Sequence, residues 1–132
     1  MPNAGPPGVA PRVGLRGIID AVVEDPEVGL IPVEHKPLRR AGGVPYDSER
    51  VQVAAEALLL EEVHALSPRP YGVVVLGTVS HRVALTSALR DEVRRRIAAI
   101  RKFRPTAAPN RSHAQVGRCR ACGMRPHCDQ AL

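Results

Sequence analysis

Asp20, then Glu34-His35-Lys36, then Gln52 form an ordered polar set in otherwise apolar surroundings. Cys119, Cys122 and Cys128 form a second set near the end of the chain. The carboxylates of Asp20 and Glu34 are hard oxygen donors, the kind that suits Mg²⁺ or Mn²⁺. A cation held there would neutralise a scissile phosphate and acidify a bound water. Lys36 would orient that water or stabilise charge on a pentavalent transition state. A strand carbonyl, that of His35, would complete the metal shell. These are the parts of a metal-dependent phosphodiester hydrolase. The plainer alternative is a surface hairpin carrying a Glu-x-Lys ion pair, because such spacings recur by chance. The adjacent Gly17-Ile18-Ile19-Asp20 and the downstream helix bearing Gln52 turn the reading toward chemistry.

The cysteines are spaced C-x2-C-x5-C and flanked by Gly117, Gly123 and Pro126, which reads as a tight loop. Thiolates at such spacing ligate Zn²⁺ or an iron–sulfur cluster. Three are not four, so a fourth ligand would come from His127, His113, His35, another chain, or nothing. A disulfide with one spare thiol is one alternative, but no secretory signal implies an oxidising compartment; three scattered buried cysteines are another, but the Gly and Arg neighbours argue against burial.

These side chains need elements to hold them. Residues 13–23 are apolar and β-branched and read as a buried strand. Asp25-Pro26-Glu27 with Gly29 reads as a turn, and residues 29–36 as the return strand of a hairpin. Side chains alternate along a strand, so Glu34 and Lys36 share a face and His35 points away. Charges on core strands are costly unless paired or bound to metal. A helix follows, capped by Asp47 or Ser48 and running to about Ala65. Gln52 and Glu56, four apart, lie on one of its faces. Residues 71–79 and 81–85 read as two further strands, with a turn near Ser80 and His81 exposed beside it. Thr86 or Ser87 opens a last helix, and residues 105–117 read as a linker. The order is β-β-α-β-β-α-Cys loop, an α/β (α+β) fold with a mixed sheet flanked by helices. The expected organisation is a disordered Pro/Gly-rich stretch over 1–12, a core over 13–104, and a linker with the Cys loop over 105–132.

At 132 residues and 44% hydrophobic the chain suits one domain with a modest core. It has no apolar run long enough to span a bilayer, and a cytoplasmic protein is expected. Aromatics make up 2%, which excludes base stacking on aromatic platforms as the binding mode. The net charge of +6 fits a polyanionic partner. Its candidate contacts are Arg39 and Arg40, in the loop after the hairpin, and Arg94 and Arg95, among the basic residues that also include Arg90 on the last helix. An ordinary solvated helix face is the equal alternative.

Taken together, Leu15-Arg16-Gly17-Ile18-Ile19-Asp20, Pro32-Val33-Glu34-His35-Lys36, Gln52 through Leu58-Leu59-Leu60-Glu61-Glu62, Tyr71-Gly72 and the three-Cys loop resemble the CRISPR-associated RecB-like exonucleases. These are the fourth numbered Cas family, within the PD-(D/E)xK nuclease superfamily. The resemblance covers residues 13–128. It implies a metal-dependent DNA exonuclease with a [4Fe-4S] cluster that trims DNA fragments before their insertion into a CRISPR array. The implied substrates are single-stranded or overhanging DNA ends, and the implied partners are the CRISPR integrase proteins, with oligomers possible. Asp20 and Glu34 would be metal ligands, Lys36 the catalytic lysine and Gln52 the family's glutamine. Cys119, Cys122 and Cys128 would be three of four cluster ligands. Family members carry an N-terminal helical region that supplies the first cluster cysteine and a metal-binding histidine. Residues 1–11 here contain neither, so a variant lacking that region is expected. Position 56, where many relatives have Tyr, is Glu. The alternatives are a catalytically impaired DNA-binding or assembly subunit of the adaptation complex, or a small zinc-binding protein.

Overall fold

A computed structural model describes residues 7–37, 43–103 and 110–132. The chain divides into two compact units, residues 1–98 and 99–132. In the first, β1 (Gly8–Ala10) and β2 (Leu15–Gly17) form a two-stranded antiparallel sheet. β3 (Ala21–Asp25) and β4 (Gly29–Lys36) form the expected hairpin. α1 (Asp47–Val63) then crosses over to β5 (Tyr71–Leu76), which lies parallel to β4, and β6 (Val79–Ala84) returns antiparallel to β5. The four strands β3-β4-β5-β6 form one mixed sheet. The fold is therefore mixed α and β, with a mixed sheet and packed helices. Among the described residues no helix is long and apolar enough to cross a membrane.

The core lies between α1 and one face of this sheet. Val53 of α1 clusters with Val74, Leu76 and Val83 of β5 and β6. Glu34 is level with Val74 in the parallel register, so it faces α1 as well. Gly72 sets how near the helix comes, because a Cβ there would lie 2.7 Å from Val53 Cγ2. Residues 53–60 of α1 are buried on almost every side. The sheet, the β1–β2 pair and α2 (Ser87–Phe103) each contribute packing through Leu58, Leu59, Leu60, Leu85 and Val93. A stretch apolar on every side but for Glu56 is what such enclosure demands.

Several expectations need correcting. The strand expected over 13–23 is broken into β2 and β3, with Asp20 in a bend between them. The β3–β4 ladder stops at the pair Ala21–Val33, and the next free amide of β4, that of His35, donates to Asp20 Oδ2 at 3.1 Å instead. Gly8–Ala10 is a strand, not part of a disordered stretch. The second hairpin turns at Gly77-Thr78 and not near Ser80, because Gly77 adopts φ 60° at the first loop position. His81 thus lies within β6, and its Nε2 is buried without a partner. The N-cap of α1 is Tyr46, since the Glu49 carboxylate accepts its backbone N–H at 2.7 Å and Asp47 falls inside the first turn. α2 begins as expected, with Thr86 Oγ1 accepting the Leu89 N–H at 3.2 Å.

The second unit contains α3 (Val116–Arg120) and a short 3-10 turn at Arg125–His127. Arg111, expected in a linker, closes the unit on itself. Its backbone N–H donates to Gln130 Oε1 at 2.6 Å and its guanidinium to the Gln130 carbonyl at 2.5 Å.

Candidate active site

Asp20, Glu34, Lys36 and Gln52 meet at the end of β4. Glu34 sits on the sheet face toward α1 and is 1% exposed. Its Oε1 is ion-paired with the Lys36 ammonium, which also donates to Gln52 Oε1 at 3.0 Å. Hydrogen bonding to Glu34 holds the Lys36 pKa above its usual value, assisted by the charges of Glu34, Asp20 and Glu49 and opposed by partial burial. Asp20 is anchored from the other side by the His35 amide. In an extended strand the N–H and C=O of one residue point the same way, so the His35 carbonyl lies on the Asp20 side of β4. The His35 side chain is exposed on the opposite sheet face. The carbonyl of Lys36 points to the other edge, where it accepts the Gly77 N–H at 3.0 Å.

Glu56 joins this group, one helical turn beyond Gln52 and buried. Its carboxyl is pushed up to about 9, first by burial and then by Glu34 and Asp20, with Gln52 opposing. Glu34 Oε2 and Glu56 Oε2 are both buried and without a hydrogen-bond partner. With its carboxyl raised that far, Glu56 keeps its proton at neutral pH, and that proton is available to bridge the two oxygens. The spacing from Gln52 was the sequence signal for Glu56.

Among the described residues, no group of three or more His, Cys, Asp or Glu is gathered closely enough to hold a metal ion as the side chains stand. Mg²⁺-type sites need less than that, since one or two carboxylates with waters and substrate phosphates suffice. The orphaned Glu34 oxygen beside Asp20 fits such a two-carboxylate site. The three cysteines are free thiols; Cys122 and Cys128 are exposed, but Cys119, expected in an unburied loop, is buried within α3. Each carbonyl accepts an N–H three residues on, from Cys122, Arg125 and Ala131.

The basic candidates fare unequally. Arg39 and Arg40 lie outside the described residues. Arg94 pairs with Asp91 at 3.1 Å, and Arg95 with Glu92 at 2.5 Å, along the exposed face of α2. Arg90 is not on that face; it is buried, in a bidentate pair with Glu61. No protein-family model matches the chain, and no curated protein does either.

Proposed function

We propose that the chain is a metal-dependent DNA exonuclease of the CRISPR-associated RecB-like kind, with a PD-(D/E)xK site on a restriction-endonuclease-like core. The observation that carries the reading is the convergence of Asp20, Glu34, Lys36 and Gln52, drawn from three elements, with Lys36 bridging Glu34 and Gln52. Asp20, Glu34 and the His35 carbonyl would hold Mg²⁺ or Mn²⁺. The bound cation would supply Lewis-acid polarisation of the phosphate and a more acidic water.

The remaining work falls to the chain. Lys36 remains an ammonium at neutral pH, so it stabilises developing negative charge and does not abstract a proton. Gln52 accepts from that ammonium and fixes its direction toward Glu34. Asp20 is held in place by the strand it faces, which limits reorganisation during reaction. Arg39, Arg40, Arg94 and Arg95 would bind the phosphates of a single-stranded or overhanging end. Cys119, Cys122 and Cys128 would be three of the four ligands of a [4Fe-4S] cluster, with zinc as the alternative group. CRISPR integrase proteins would be the partners, and DNA fragments awaiting integration the substrate.

The test is Mn²⁺-dependent degradation of end-labelled single-stranded DNA by anaerobically purified protein. Lys36→Ala is expected to lose at least about a hundredfold in rate while DNA retention on a filter is unchanged. Cleavage that persists in the variant would sink the catalytic assignment. Retention without cleavage by the parent protein would leave a DNA-binding or assembly subunit.

A further inference from the structure

We propose that the second unit, through Arg118, Arg120 and Arg125, is the surface on which the chain takes up the phosphates of a nucleic acid strand. The proposal rests on the DNA-processing reading above and adds to it the part of the molecule that grips the substrate.

The first observation is where the charge lies. Residues 1–98 carry twelve Lys or Arg and twelve Asp or Glu, so the first unit is neutral overall. Residues 99–132 carry seven Lys or Arg against Asp129 alone. The whole net charge of +6 therefore belongs to the smaller unit. Pairing sharpens the contrast. On α2, Arg94 is bound to Asp91, and Arg95 and Arg96 to Glu92, so each reaches a phosphate only by giving up a carboxylate. Among the described residues Arg118, Arg120 and Arg125 have no ion pair and no side-chain hydrogen bond, and all three are exposed.

The backbone holds these three in place. Cys119 is buried, and Arg118 and Arg120, about 100° to either side of it around α3, stay in solvent. The Arg125 N–H donates to the Cys122 carbonyl at 3.1 Å, and the Cys128 N–H to the Arg125 carbonyl at 3.2 Å. Three guanidinium groups thus stand within eight residues on hydrogen-bonded turns. Like charges held together repel one another, and a polyanion relieves that repulsion.

The chemistry selects the partner. Six of the seven cations are Arg, whose planar fork binds phosphate oxygens two at a time. A membrane surface would call for an amphipathic helix with aromatic or large apolar side chains opposite the cations. Residues 110–132 contain no Phe, Tyr or Trp, and α3 has only five residues. Without an aromatic side chain to stack on, the grip is on the phosphates and indifferent to base sequence.

The experiment is anisotropy of a labelled oligothymidylate titrated with the intact, anaerobically purified chain, without added divalent cation, between about 50 and 200 mM KCl. It is run on the parent protein and on the triple variant Arg118→Gln, Arg120→Gln, Arg125→Gln. A second variant changes the same three residues to Lys. A third, Arg12→Gln, Arg16→Gln, Arg50→Gln, removes the same number of exposed charges from the first unit. The side chains replaced in the second unit are exposed and unpaired, so circular dichroism should match the parent. Each phosphate contact contributes about 0.7 to the slope of log affinity against log salt for a single strand. The Gln variant of the second unit should lose about 2 from that slope and bind at least about tenfold more weakly at the lowest salt. The Lys variant should keep the parent slope, because it keeps the charges, and so should the first-unit variant. An unchanged slope and affinity in the second-unit Gln variant would overturn the proposal, as would an equal loss in the first-unit variant. Binding of the parent to phosphatidylserine vesicles and not to the oligonucleotide would overturn it in favour of a lipid surface. Unchanged binding in the second-unit Gln variant, with the parent still binding and cleaving DNA, would leave the nuclease reading standing. A parent that neither binds nor cleaves DNA would overturn both.

Discussion

Glu61 and Arg90 show how a single pair of residues escapes a linear reading. The Arg90 guanidinium bonds both Glu61 oxygens, at 2.8 and 2.7 Å, and also the carbonyls of Arg69 and Leu85. Glu61 Oε1 accepts the Arg69 N–H at 2.6 Å as well. In sequence Arg90 is one cation in a basic helix, and nothing local distinguishes it from Arg94 or Arg95. Only the packing of α2 against α1 does so. Removing one member of a buried pair strands the other charge. Glu61→Gln is expected to lower unfolding free energy by about 3 kcal/mol, measured by urea denaturation. A loss within error of zero would mean the pair is solvated. The catalytic candidates were legible for the opposite reason. Glu34 and Lys36 stand two apart on an apolar strand, where a charge without a task is expensive.

At the scale of elements, the β3–β4 hairpin was legible because Asp25-Pro26 and Gly29 punctuate two β-branched runs. Asp25 accepts the amides of Glu27 and Val28 inside that turn. The break at Asp20 was not legible, since Ile18-Ile19 before it and Ala21-Val22-Val23 after it read as one run. What ends the run is a side chain capturing an amide fifteen residues away. The end of α1 carries a similar concealment. Leu66 N–H bonds the Glu61 carbonyl at 2.8 Å and Ala65 N–H the Glu62 carbonyl at 3.4 Å, a Schellman closure. Ala65 occupies its left-handed position at φ 51°, where glycine is the usual residue. Ala65→Gly is therefore expected to stabilise the chain by about 1 kcal/mol. That would raise the thermal midpoint by about 4 °C in differential scanning calorimetry. A lower midpoint would show that the αL position is not strained.

Over the whole molecule, the proposed nuclease residues belong to one compact unit and the cysteines to the other. The two kinds of chemistry should then be separable. Cys119→Ser is expected to bleach visible absorption of anaerobically purified protein, or to remove bound zinc if the chain is colourless, while Mn²⁺ binding at Asp20 and Glu34 persists. An unchanged spectrum and zinc content would remove Cys119 from the ligand set. The sequence spacing of the cysteines announced this second unit, but the Arg111–Gln130 closure that shapes it left no local trace. One link inside the first unit ties distant parts together. The Lys36 carbonyl is held by the amide of Gly77 in the β5–β6 turn. Short surface turns between strands are ordinarily where a lineage gains and loses residues freely. This one is backbone scaffolding for the ammonium beside Glu34, so length variation should be filtered out at Gly77-Thr78.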